Sequence, residues 1–171
     1  LQSNACNDIN ECATNNGGCA PAAGVCSNLA GSRTCTCVAG YAGNGITCTD
    51  VNECATNNGG CSSTPLVTCT NTAGSRTCGS CPVGYTGNGV TCADVNECAI
   101  NNGGCAPVTG QCANTAGSRT CSCTSGYAGD GITCTDINEC ATNNGGCTVG
   151  SDCVNGPGSS TCVCPSGYGG G

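Results

Sequence analysis

The sequence predicts a small disulfide-rich β architecture: tandem modules, each a two-stranded hairpin followed by a minor hairpin, stacked as an elongated rod. Three observations lead there. Of 171 residues 24 are cysteine and 30 are glycine, whereas Phe, Trp, Met, His and Lys are absent and four Tyr supply all the aromatic bulk. The cysteines fall into repeating sets whose first members, Cys12, Cys54, Cys98 and Cys140, lie 42, 44 and 42 residues apart. One short joint recurs before each set, as Asp8-Ile9-Asn10-Glu11, Asp50-Val51-Asn52-Glu53, Asp94-Val95-Asn96-Glu97 and Asp136-Ile137-Asn138-Glu139.

The composition limits how the chain can fold and where. Units of about 40 residues seldom bury enough apolar surface to be stable alone, and cross-links are the usual substitute. Cytosolic reductants would keep so many thiols open, so an oxidising, extracellular or cell-surface setting is expected. No basic-then-apolar leader opens the chain, and no apolar run approaches the roughly 18 residues of a membrane span, so mature soluble material or a piece of something longer is expected. Ten acids face three Arg, for a net charge of −7, which disfavours nucleic acid and membrane insertion and favours cations. Eight of the ten acids sit in the joints, the others being Asp130 and Asp152. A merely solvated surface would scatter them.

Within each unit the local pattern is turn-dominated. Asn28-Leu29-Ala30-Gly31-Ser32-Arg33-Thr34-Cys35 suits a β-hairpin bent at Gly31. Asn44-Gly45, Asn88-Gly89 and Asp130-Gly131, between short strand-like pieces, favour a second, tighter hairpin with a primed turn. The Asn-Asn-Gly-Gly before each second cysteine reads as loop. Only five residues separate Cys48 from Cys54, without a flexible spacer composition, so consecutive units are expected to touch.

Six cysteines per unit, a near-adjacent fourth and fifth, a Gly-Tyr after the fifth and acids ahead of the first resemble the calcium-binding EGF-like repeat, from Asp8 to Tyr168. The resemblance implies first-to-third, second-to-fourth and fifth-to-sixth disulfides, a choice among 15 pairings that counting alone leaves open. In the first complete unit these are Cys12–Cys26, Cys19–Cys35 and Cys37–Cys48. It also implies calcium, a hard cation wanting six to eight oxygens. The implied ligands are the side chains of Asp8, Glu11 and Asn28 with the carbonyls of Ile9, Leu29 and Ser32; then Asp50, Glu53 and Asn71 with Val51, Thr72 and Ser75. The third set is Asp94, Glu97 and Asn114 with Val95, Thr115 and Ser118, and the fourth Asp136, Glu139 and Asn155 with Ile137, Gly156 and Ser159. Four Ca²⁺ would bring eight positive charges to a chain of net charge −7. By the same resemblance, Tyr41 meets Gly74-Ser75, Tyr85 meets Gly117-Ser118 and Tyr127 meets Gly158-Ser159.

The chain departs from that family at several points. Arg33, Arg76 and Arg119, with Ser160 in the last unit, replace the usual aromatic two residues before the fourth cysteine, and solvated guanidinium groups are expected there. Cys78-Gly79-Ser80-Cys81 has a redox-like spacing, but Cys35-Thr36-Cys37 at the same point makes an inserted residue the simpler account. A zinc site is disfavoured because oxidised cysteines cannot ligate it. No Asn-x-Ser/Thr sequon occurs, and Gly84-Tyr85-Thr86-Gly87 resembles an O-GlcNAc context, which leaves a glycoprotein open.

The expected domains are residues 1–7, the C-terminal remnant of a preceding module; 8–49, 50–93 and 94–135, complete modules; and 136–171, a module lacking its sixth cysteine. Were the end of one copy to run into the start of another, Cys164 and Cys6 would lie 13 residues apart, against 11 between fifth and sixth cysteines elsewhere. The expected partner is therefore a second copy, head to tail, in a continuous chain or through a Cys164–Cys6 bridge; other extracellular proteins remain open. Without His or Lys to act as base, no enzyme is expected. The expected function is a structural, calcium-rigidified extracellular or matrix array, the repeating unit of a filament. The alternative is a ligand-binding segment of a receptor or adhesion ectodomain, using Pro65-Leu66-Val67.

Overall fold

The computed structural model describes residues 6–169. Each module begins at its first cysteine with a 3-10 turn, Glu11–Ala13, Glu53–Ala55, Glu97–Ala99 or Glu139–Ala141. In modules one and three the Asn of the joint caps it: Asn10 Oδ1 accepts the Cys12 N–H at 3.0 Å, and Asn96 Oδ1 that of Cys98 at 3.1 Å. The following Asn-Asn-Gly-Gly is more regular than the expected loop. Asn15, Asn16, Gly17 and Gly18 have φ of 50°, 49°, 59° and 76°, a left-handed turn repeated in every module. Asn and Gly are the residues that tolerate this region. The second Asn ties the turn down, its Nδ2 donating to the carbonyl of Gly24, Val67, Gly110 or Ser151 at 2.9 to 3.1 Å.

The major hairpins are antiparallel pairs. In the first module β1 (Gly24–Leu29) pairs with β2 (Ser32–Cys37), followed by a minor hairpin of β3 (Tyr41–Gly43) and β4 (Cys48–Asp50). The second module has β5 (Cys69–Thr72) paired with β6 (Ser75–Cys78), then β7 (Tyr85–Gly87) and β8 (Cys92–Asp94). In the third, β9 (Gly110–Thr115) pairs with β10 (Ser118–Cys123), and β11 (Tyr127–Gly129) with β12 (Cys134–Asp136). The fourth contributes β13 (Asp152–Gly156) and β14 (Ser159–Val163). Among the described residues there is no α-helix. The chain separates into two compact units, Leu1–Pro82 with Thr86–Ala93 and Val83–Tyr85 with Asp94–Gly171.

Eleven disulfides follow the implied order, beginning with Cys12–Cys26, Cys19–Cys35 and Cys37–Cys48. Cys78 pairs with Cys61 and Cys81 with Cys92, so the C-x-x-C is shared between two structural bridges. These bridges close loops of 11 to 17 residues, each worth about 3 kcal/mol in the chain-entropy model. They also form the core: the buried residues are Cys19, Cys61 and Cys105 with Ala20, Ala23, Ala106, Ser62 and Val67. The minor hairpin covers this spot, for Gly45, Gly89 and Gly131 accept the N–H of Ala20, Ser62 and Ala106 at 2.8 to 2.9 Å. Gly45 approaches so closely that a Cβ on it would lie 2.2 Å from the Cys35 backbone. Module four has no such cover among the described residues, and Cys147 is correspondingly only half-buried.

Three local expectations need correction. The minor hairpin does not turn on two residues: four residues, 44–47, join β3 to β4, and Asn44 Oδ1 accepts the N–H of Ile46 and Thr47 at 3.0 and 2.8 Å. A side-chain acceptor does the work of the expected primed turn. The Arg side chains are not simply solvated. They lie half-buried along the left-handed turn, where a Cβ on Gly17 would sit 2.5 Å from Arg33 Cδ, and the Nε of Arg76 and Arg119 donates to the carbonyl of Gly59 and Gly103. Packing here thus falls to an aliphatic stem in place of the family's usual aromatic. Finally, Val67 is 1% exposed and Leu66 71%, so of Pro65-Leu66-Val67 only Leu66 is fully exposed.

Asp130 replaces Asn44 in the third module and accepts the same pair of N–H groups, from Ile132 and Thr133, at 2.9 and 2.7 Å. Those of Thr133 and then Ile132 hold its carboxyl below the usual carboxylate range. A lowered folded-state pKa gives a contribution fully present above the unfolded value, about 3.9, and lost as pH falls through the folded one. Protection of the Ile132 and Thr133 amides from exchange, relative to Ile46 and Thr47, is therefore expected to fall below about pH 4. Asp130→Asn should abolish the difference, as followed by NMR.

Candidate metal centre

The same four-residue joint meets the same hairpin four times. The first Asp reaches the hairpin tip: Asp8 Oδ1 accepts the Gly31 N–H at 2.6 Å, and Asp50, Asp94 and Asp136 accept those of Gly74, Gly117 and Gly158 at 2.5 Å. Its other oxygen accepts Nδ2 of Asn28, Asn71, Asn114 or Asn155 at 2.7 to 2.8 Å. The Gly31 N–H, and after it the Asn28 amide, hold the Asp8 carboxyl below the usual range; Gly117 and Asn114 do the same for Asp94. Hydrogen bonds to a carboxylate favour its charged form, so these acids are anions at neutral pH.

Glu, three positions on, stands beside the same amide. Asn28 Oδ1 accepts the Glu11 N–H, and Asn155 Oδ1 that of Glu139, each at 3.3 Å. Oε2 of Glu11, Glu53, Glu97 and Glu139 is buried and has no hydrogen-bond partner. A buried carboxylate oxygen without a donor is costly, by at least about 1–3 kcal/mol, and it recurs at all four equivalent positions. No cluster of three or more His, Cys, Asp or Glu occurs among the described residues. Each joint instead offers two carboxylates and an Asn amide, a hard-oxygen set that fits calcium when main-chain carbonyls complete it.

The structure joins Asp and Asn of each predicted set, and in modules one and four the Glu main chain meets the same Asn. The predicted carbonyl donors flank it: Leu29 and Ser32 are the pair that closes β1–β2 around Gly31, and Thr72–Ser75, Thr115–Ser118 and Gly156–Ser159 are their counterparts. Ile9, Val51, Val95 and Ile137 directly follow the Asp, and the N–H of the last three is taken by the carbonyl of Gly40, Gly84 and Gly126 at 2.9 Å.

These last contacts tie the site to the neighbouring module. The Tyr41 ring lies on Gly74, Tyr85 on Gly117 and Tyr127 on Gly158, as the resemblance implied: a Cβ on those glycines would fall 2.5 to 2.8 Å from the ring. Gly40, Gly84 and Gly126 back onto the carbonyls of the same three glycines, with room for a Cβ at none of them. This glycine-on-glycine contact was missed in the sequence, although the recurrent Gly-Tyr was its signal.

Residues 12–48, 54–92 and 98–134 match the model of the EGF domain. The chain belongs to the EGF domain family. Residues 136–171 match the calcium-binding EGF domain. The three plain EGF matches begin at the first cysteine and leave out the acids of the joint, whereas the fourth begins at Asp136 and includes them. Comparison with curated proteins yields no match.

Gly117→Val would add a branched side chain at a φ of 72° and against the Tyr85 ring. The expected loss is about 1–3 kcal/mol from overpacking, read as a lower unfolding midpoint together with a solvent-like Tyr85 ring shift. A Tyr85 spectrum that stays unchanged would show that the ring does not pack on Gly117 in solution.

Proposed function

We propose that this EGF-domain chain is a structural, calcium-binding segment of an extracellular array, in which bound calcium stiffens the joints between modules. The observation that carries it is the buried, unpartnered Glu Oε2 in all four joints, each of which also holds an Asp bonded to an Asn. Proteins of tandem EGF domains are typically extracellular and generally non-enzymatic, and no helix of the described residues is long and apolar enough to cross a membrane. The ligands in each module are the sets named from the sequence, led by Asp8, Asp50, Asp94 and Asp136. When bound, Ca²⁺ supplies a double positive charge that offsets the paired acids and fills the coordination left open at Glu. In joints two to four the Asp that would hold it is followed by a residue whose N–H is bonded to the Gly of the preceding module. Holding that segment therefore holds both modules.

Extracellular modules bind in the range of about 10⁻⁴ to 10⁻³ M, and titration calorimetry should find four sites there. Glu97→Ala gives the sharper test. In chelator it is expected to leave the unfolding midpoint unchanged or raised, because a stranded carboxylate is gone; in millimolar calcium it should lose the site in module three. A variant that binds four ions as the parent does would remove Glu97 from the set.

Leu66, 71% exposed in the longer loop of module two, supports the second reading, a ligand-binding segment of a receptor or adhesion ectodomain.

A further inference from the structure

The candidate centres differ at one position that the joint motif does not contain. On the hairpin, the Asn of each set stands directly opposite a second residue: Asn28 opposite Arg33, Asn71 opposite Arg76, Asn114 opposite Arg119 and Asn155 opposite Ser160. Residues paired in this way project from the same face of the sheet, with Cβ atoms about 4.5–5.5 Å apart. The Arg therefore rises on the side that carries the Asn, and one groove is lined by Val51, Glu53, Gly74, Ser75 and Arg76 together. The guanidinium does not answer the Glu by contact. Arg76 Nε donates to the Gly59 carbonyl and Arg119 Nε to that of Gly103, while Oε2 of Glu53 and Glu97 stays without a partner. The stem is pinned on the left-handed turn, where a Cβ on Gly59 or Gly103 would lie 2.5 Å from the Arg Cδ. In module four the half-buried Ser160 takes that place, its Oγ 2.9 Å from where a Cβ on Gly145 would fall, and it carries no charge.

We propose that this facing residue ranks the calcium sites: the centre led by Asp136, facing Ser160, fills at lower calcium than those led by Asp50 and Asp94, facing Arg76 and Arg119. The inference rests on the calcium reading above and names what grades it. Joints two and three set an Asp and a Glu against one fixed, permanently charged guanidinium, whereas joint four sets an Asp and a Glu against none. A dication entering joint two or three meets the field of the Arg as well as that of the acids. Across one Debye length, about 10 Å at 0.1 M salt, a unit charge still opposes it, and the expected difference in affinity is about three- to tenfold. Asp152 lies three residues before Asn155 on β13 and so on the opposite face, which leaves Ser160 as the change on the face of the Asn. At intermediate calcium the joint ahead of module four is held while those ahead of modules two and three are not.

The test titrates the 171-residue chain with calcium chloride in about 0.1 M potassium chloride. It follows the NMR signals of the Gly74, Gly117 and Gly158 amides, each bonded to the leading Asp of its joint. Gly158 is expected to reach half-change at about three- to tenfold less calcium than the other two. The gap should close in about 1 M salt, where the Debye length falls to about 3 Å. Ser160→Arg should raise the calcium needed at Gly158 to the level of the others. Arg119→Gln, which keeps much of the stem without the charge, should lower it at Gly117, while Arg119→Lys should not. Gly158 responding with or after the other two, or a lead at Gly158 that survives Ser160→Arg or high salt, would overturn the ranking and leave the calcium reading standing. Amides that fail to respond at up to about 10 mM calcium, beyond the range of extracellular modules, would overturn both.

Discussion

The constraint on which everything else depends is that this chain has almost nothing apolar to bury. Without Phe, Trp or Met, the interior of a complete module is a disulfide with a few alanines around it, and Val67 is the one large side chain fully enclosed. Stability must then come largely from restricting the unfolded chain, and loops of 11 to 17 residues are closed three times in each of modules one to three. The rest of the molecule adapts to that economy. Asn side chains cap the opening turn and pin the left-handed turn, and the Arg stem lies over glycine in place of a ring.

Small residues also determine how modules meet. A joint that buried large aromatic side chains would need Phe or Trp on each module, and this chain has neither. Glycine solves the problem by letting backbone approach backbone: Gly40 against the Gly74 carbonyl, with one Tyr ring as the only bulky member. Such a contact is narrow and its geometry is strict, because any Cβ at either glycine collides with main chain or ring. It is also small, so an added tie at the same place is worth more to rigidity than it would be across a broad interface.

The fold was legible because cysteine spacing and the Asp-x-Asn-Glu-Cys joint are short, local and repeated, and both map directly onto covalent and hydrogen-bonded geometry. The candidate residues Asp, Glu and Asn could be named from the sequence for the same reason. What escaped was conformational. Asn15-Asn16-Gly17-Gly18 was expected as loop because composition signals turn propensity and does not reveal four consecutive residues on the left-handed side. Asn44 was expected inside a primed turn, whereas its side chain replaces a backbone acceptor. Arg33, Arg76 and Arg119 were expected in solvent because charge suggests hydration, and only the structure places the methylene stem over glycine. For the left-handed turn and the Arg side chains the deciding partner is a backbone group 8 to 17 residues away, whereas for Asn44 it lies two and three residues on.

On the proposed function, calcium would act on the stiffness of joints that are already hydrogen-bonded. Asp8, Asp50, Asp94 and Asp136 already hold the hairpin tip and the Asn amide through hydrogen bonds, so each leading segment is seated before any cation arrives. The disulfides secure each module independently of metal. The Glu carboxylate is left with one buried oxygen unanswered. On the proposed function, a divalent cation there would offset the negative charge of the joint, and its effect would fall on the segment that also carries the Gly-Tyr contact.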